Sequence, residues 1–154
     1  MPAFLSAFLS ALLRAVLVWL AIMATESLHG ALRRLLLSPE TDFALRQLSV
    51  LIGAVINFGL TWLFLSWIRI RSARAALAIG ALWVLLTLVF EMVLGRLTGV
   101  GWPRILSDYD LTQGGLMPLG LLAMGMTPWA VRKLQAGRAA RALPSTAANP
   151  RRPP

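Results

Sequence analysis

Apolar residues run almost unbroken for about 20 positions at a time, long enough to cover a hydrocarbon core of about 30 Å at about 1.5 Å per helical residue. Four such runs lie near 9–31, 47–68, 75–96 and 112–132. In hydrocarbon every backbone polar group must be satisfied within the segment, so runs of this kind fold as helices. The expected fold is all-α: a membrane four-helix bundle spanning 1–135. Charged residues make up only 14% of the chain, against 58% hydrophobic, about half the share usual in a water-soluble domain.

The chain has no cysteine and one histidine, His29, which excludes a disulfide framework and a thiolate metal site. No metal and no cofactor are expected. The formal charge of +9 does not point to nucleic acid, because the basic residues punctuate apolar runs instead of gathering on a polar face among aromatics. They act as topology signals. Lys and Arg flanking spans are retained on the cytoplasmic side. Arg69, Arg71 and Arg74 occupy the turn between the second and third runs, and Arg132, Lys133, Arg138, Arg141, Arg151 and Arg152 follow the fourth, with no acid among them. Arg33, Arg34, Arg46, Arg96 and Arg104 lie on the other side with all six acids, Glu26, Glu40, Asp42, Glu91, Asp108 and Asp110. A bacterial inner membrane with both termini cytoplasmic is therefore expected. Met1–Leu13 has no basic residue before its apolar stretch and is expected to be retained. Residues 136–154, rich in Ala, Arg and Pro, are expected to form a disordered basic tail drawn to anionic headgroups.

Internal repetition adds a second constraint. Glu26-x-x-x-Gly30 returns as Glu91-x-x-x-Gly95, and Asp42-Phe43-x-Leu45-x-Gln47 returns as Asp108-Tyr109-x-Leu111-x-Gln113. Gly59-Leu60-Thr61-Trp62 returns as Gly125-Met126-Thr127-Pro128-Trp129. The reading is two tandem hairpins in the same orientation, about 9–68 and 75–132, related by a pseudo-two-fold axis along the membrane normal as in parallel-repeat transporters.

Glu26, His29, Gly30 and Arg33 share one face of the first helix at i, i+3, i+4 and i+7. A carboxylate inside a bilayer costs at least about 2.5 kcal/mol, so such a face turns to the bundle interior. Arg33 or Arg34 is the expected partner of Glu26, and Gly30 and Gly95 leave room for a neighbouring backbone. The sequence therefore predicts an outward-facing polar pocket of Glu26, His29, Arg33, Glu91, Arg96 and Asp108, with Glu26 and Glu91 sharing one proton. Asp42 and Asp108 are expected to cap the helices that follow them; with Glu40 and Asp110 they could alternatively form an oxygen-rich cation site, though no diagnostic ligand spacing is present. Gly114-Gly115 should loosen the start of the fourth span.

The strings Glu26-Ser27-Leu28-His29-Gly30-Ala31-Leu32-Arg33, Phe90-Glu91-Met92-Val93-Leu94-Gly95-Arg96 and Asp108-Tyr109-Asp110-Leu111 resemble those of an uncharacterised family of small four-helix bacterial inner-membrane proteins. The likeness covers about residues 15–132 and implies a location, not an activity. No nucleophile constellation or nucleotide loop is present, so catalytic residues are not assigned. Three roles stay open: a small transporter or lipophilic-ligand-binding protein, an accessory subunit of a larger membrane complex, and a cofactor-free enzyme doing acid/base chemistry on a lipophilic substrate. Four helices make a thin pore, so transport calls for a homodimer. With no native cysteine to interfere, Thr41→Cys is expected to react with an impermeant thiol reagent added outside cells. Ser72→Cys and Ser145→Cys are expected to stay silent until the membrane is opened.

Overall fold

A computed structural model describes residues 2–36, 42–70 and 72–142. Helix α1 covers Pro2–Leu36, α2 Asp42–Ile68, α3 Ala73–Leu97, α4 Trp102–Ser107 and α5 Met117–Ala142, with a 3-10 turn at Leu111–Gln113 before α5. No strand occurs among the described residues.

Three helices are long and apolar enough to cross a membrane, over Leu5–Arg33, Gln47–Ile68 and Ala73–Leu97. Only 28%, 22% and 17% of their most apolar windows are buried inside the protein, so most of their apolar surface faces outward. Leu17 and Leu20 of α1, Leu51, Val55 and Leu63 of α2, and Leu85, Val89 and Val93 of α3 are all exposed. So much exposed apolar surface suits lipid and not water.

The expected fourth run is not among the helices that meet the length and hydropathy needed for a span. Its apolar stretch is interrupted by Pro118, Gly120, Gly125, Thr127 and Pro128, and Arg132 and Lys133 follow directly. These residues are accommodated because α5 lies along both α2 and α3, burying Leu121, Met124, Thr127, Pro128 and Val131. A helix shielded by protein on two sides has less surface to present to lipid. The helix also continues to Ala142, where disorder was expected from residue 136; Ala139, Ala140 and Ala142 are strong helix formers and carry it on. Residues 143–154 of the expected tail lie outside the described residues.

Around the assembly the long helices follow the order α1, α2, α5, α3. Helix α1 meets α3 through Trp19 Nε1, which donates to Thr87 Oγ1 at 3.0 Å, and through Trp83 Nε1, which donates to the Ala15 carbonyl at 2.9 Å. Helix α2 meets α5 through Asn57 Nδ2, which donates to Thr127 Oγ1 at 3.2 Å. This order corrects the expected two-fold axis, which would set α1 diagonally across from α3. Instead the α1–α2 hairpin lies alongside α3–α5, like helices side by side, as when one hairpin is displaced onto the next. The interlocked indoles and the Asn–Thr contact favour this arrangement, because each satisfies a polar group away from water.

The closest backbone approach joins α3 to α5. A Cβ at Gly80 would overlap the Gly125 carbonyl oxygen, so the pair depends on the missing side chain. Small residues that let helix backbones meet are a main source of association where lipid removes the hydrophobic drive. Gly59, by contrast, has nothing within 4 Å of its would-be Cβ. Thermal unfolding in detergent is expected to show Gly80→Ala destabilised by about 1–3 kcal/mol through overpacking. Gly59→Ala is expected to be neutral or to gain up to about 1 kcal/mol from helix propensity.

Candidate functional site

The inward stripe of α1 is apolar through Ala15, Val18, Trp19, Ile22 and Met23, all buried, and becomes polar where Glu26, His29 and Arg33 take the next turns. The stripe of α3 runs Ala76, Gly80, Trp83 and Thr87, all buried. One turn further on it reaches Glu91, which is exposed. Packing that is tight at mid-height thus opens at the end where the acids gather.

Glu26 is half-buried, and its carboxylate occupies the space over Gly53 of α2, where a Cβ would stand 2.7 Å from either oxygen. Gly53 is the seat of the carboxylate. Of its two expected partners, Arg33 forms no ion pair with Glu26 among the described residues, and the side chain of Arg34 lies outside them. Arg33 lies seven residues on, about 10 Å along the axis, while Glu26 faces α2. Glu91 lies on the neighbouring helix α3, one turn beyond the buried Thr87 that Trp19 of α1 bonds, so both acids stand toward the same end of the helices. His29 Nε2 lies 3.2 Å from Ser49 Oγ. Ser49 gives its only hydrogen to the Leu45 carbonyl at 2.8 Å, so Nε2 carries the proton and donates to Ser49.

Gln47 is buried at 8% exposure and clamps the connection that covers this end. Its Nε2 donates to Asp108 Oδ1 at 3.2 Å, and its Oε1 accepts from the Leu116 N–H at 2.6 Å. One amide therefore ties α2 both to the end of α4 and to the start of α5. Asp108 closes α4 at its C-terminus and stands 3.9 Å from Arg104, instead of capping a following helix as expected. That role belongs to Asp110, which accepts from the Thr112 N–H at 2.9 Å, from Thr112 Oγ1 at 2.6 Å and from Gln113 Nε2 at 2.7 Å. The Thr112 hydroxyl and backbone bonds hold the Asp110 carboxyl below the ordinary range. With its oxygens occupied by these local donors, Asp110 is a turn-former, and Gln113 is exposed beside it. Glu40 lies outside the described residues, as does the side chain of Asp42, whose backbone opens α2.

Three further expectations change. Arg96 leaves the cluster: its Nη1 donates to the Val100 carbonyl at 3.2 Å and its guanidinium lies 5.4 Å from the Trp102 ring, because its position on α3 faces away from Glu91. Gly30 borders open space, and Gly95 receives the Ile105 side chain of α4 in place of a neighbouring span. Gly114, at φ 85°, ends the 3-10 turn in the left-handed region, where glycine carries no steric penalty. The loosening expected at the start of the fourth span is thus a defined turn.

Two members of the site escape sequence reasoning. Gly53 is one glycine among 12, and only its position opposite Glu26 marks it. Tyr109 is the sole tyrosine; its hydroxyl is buried with no hydrogen-bond partner among the described residues. Burial, then the charges of Glu91 and Asp108, push the phenol from its ordinary 10.0 up to about 12.

A phenol that holds its proton longer when folded favours the native state up to the unfolded value and loses that advantage as pH rises toward the folded one. Stability is therefore expected to fade between about pH 10 and about pH 12. Tyrosinate absorbance, uncomplicated by any second tyrosine, should appear near pH 12 and move down in Glu91→Gln. No protein-family model, curated protein or solved structure matches the chain.

Proposed function

We propose that this chain is a multi-pass protein of the bacterial inner membrane that binds the polar head of a lipophilic ligand at the Glu26–Glu91 end. The observation that carries the reading is the Glu26 carboxylate seated over Gly53, at the end of the helices where Glu91 is exposed and the buried Tyr109 hydroxyl has no hydrogen-bond partner among the described residues. Such a set accepts hydrogen bonds and attracts positive charge. A ligand head with ammonium or hydroxyl donors would bond to these oxygens, and its apolar body would remain in lipid. The exposure of Glu91 at the end of an apolar helix supports entry from the side.

In this reading α5 completes a four-helix bundle as the fourth crossing, and both termini and the turn at residues 69–74 face the cytoplasm. The two hairpins are tandem repeats stacked side by side. What supports the repeat is the register: the α1–α3 bonds join residues 64 and 68 apart, and the α2–α5 bonds join residues 70 and 73 apart. Those separations lie close to the sequence offsets of 65 and 66 that relate Glu26 to Glu91 and Asp42 to Asp108.

Mid-height packing favours binding over passage. Trp19, Trp83, Thr87, Asn57, Thr61, Met124 and Val131 are all buried there, and Thr87 is also within bonding distance of the sulfurs of Met23 and Met124, at 3.7 and 3.3 Å. A continuous hydrated path would have to displace this layer.

Native mass spectrometry of gently purified protein is expected to show one lipophilic molecule per chain. Glu26→Gln and Glu91→Gln should each lower its occupancy about tenfold, the scale of one lost charge-assisted hydrogen bond. Wild-type protein free of any such ligand would sink the proposal, as would full retention in both variants.

A further inference from the structure

Along α2 and α5, from mid-height toward the basic end of α5, a different surface combines an apolar groove with an available cation. The groove has a volume of about 200 Å³ and is lined by Phe58 and Trp62 of α2 and by Leu134 and Arg138 of α5. Phe58 and Trp62 stack with ring centroids 6.0 Å apart, which makes one wall flat and rigid. Phe58 is 38% exposed and Leu134 51% exposed, so the groove faces outward to the surroundings of the helices. It is separate from the carboxylate site.

The Arg138 guanidinium stands over the Trp62 ring at 4.7 Å. Side chains on a helix lean toward its N-terminus, which draws this guanidinium back from the basic end of α5 to the mouth of the groove. Gln135 fixes the same place, its Nε2 donating to the Trp62 carbonyl at 2.9 Å. Among the described residues Arg138 has no carboxylate or carbonyl partner, and α5 has no acid anywhere along Met117–Ala142. Arg132, Lys133 and Arg141 add positive charge on the same helix, with Lys133 over the Trp129 ring at 5.2 Å. The planar fork of an arginine matches two oxygens of a phosphate at once.

We infer that the α2–α5 groove is a binding site for an anionic phospholipid, its phosphate held by Arg138 and an acyl chain laid against Phe58, Trp62 and Leu134. Charge complementarity selects an anion, and the apolar walls select an anion that carries a hydrocarbon chain. Ring-stacked arginine beside tryptophan also suits the headgroup level of a bilayer, where amphipathic rings concentrate. The site adds to the general attraction of basic juxtamembrane residues for acidic lipid, because it places the contact at one side chain and above one groove.

Titration of the full chain in detergent with phosphatidylglycerol or phosphatidylcholine of the same acyl chains, read by native mass spectrometry, tests this. Wild-type protein is expected to bind one phosphatidylglycerol about tenfold more tightly than phosphatidylcholine, the scale of a charge-assisted bond. Arg138→Gln should abolish that preference, Arg138→Lys should keep most of it, and Arg141→Gln should leave it intact. Equal affinity of the wild type for the two lipids would overturn the inference. So would an equal loss in Arg138→Gln and Arg141→Gln, which marks diffuse attraction to a basic helix and not a site.

Discussion

Helices already surrounded by hydrocarbon gain little by burying apolar faces against one another, so close packing and shared polar contacts must hold them together. This protein meets that constraint at mid-height. The Gly80–Gly125 approach lets α3 and α5 touch backbone to backbone, and Trp19, Trp83 and Asn57 send N–H groups across helix boundaries to Thr87, Ala15 and Thr127. Each bond removes a donor that hydrocarbon would leave unsatisfied. The apolar leucines and valines are left to cover the outside.

The polar end rests on that layer. Once α1 and α3 are locked in register by the two indoles, Glu26 and Glu91 fall at similar heights on neighbouring helices. Their placement is then a property of the frame, not of a loop. Gly53 gives the Glu26 carboxylate its seat, and Gln47 closes the connection from α4 to α5 over the same end.

Much of the architecture was legible in the sequence because the physics behind it is one-dimensional. Length and hydropathy alone locate α1, α2 and α3. The polar stripe Glu26, His29, Arg33 follows from helical periodicity, and its turn toward α2 is seen in His29 and Ser49. What sequence could not supply were the relations between helices. Side-by-side stacking and diagonal placement give identical hydropathy, so the expected two-fold axis had no signal against it. The seat of Glu26 and the place of Arg96 had no signal for a related reason: neighbours along one helix are counted easily, whereas Gly53 comes from another element. Asp108 and Asp110 differ by two positions, and only the geometry of the 3-10 turn tells which of them caps it.

The position of α5 carries a consequence for biogenesis. A segment interrupted by Pro118 and Pro128 and followed at once by Arg132 and Lys133 partitions poorly into hydrocarbon on its own. Its buried face matches surfaces that α2 and α3 present, and both emerge earlier from the ribosome. The place of this last helix is therefore set by the protein surfaces made ahead of it in the chain more than by its own affinity for hydrocarbon.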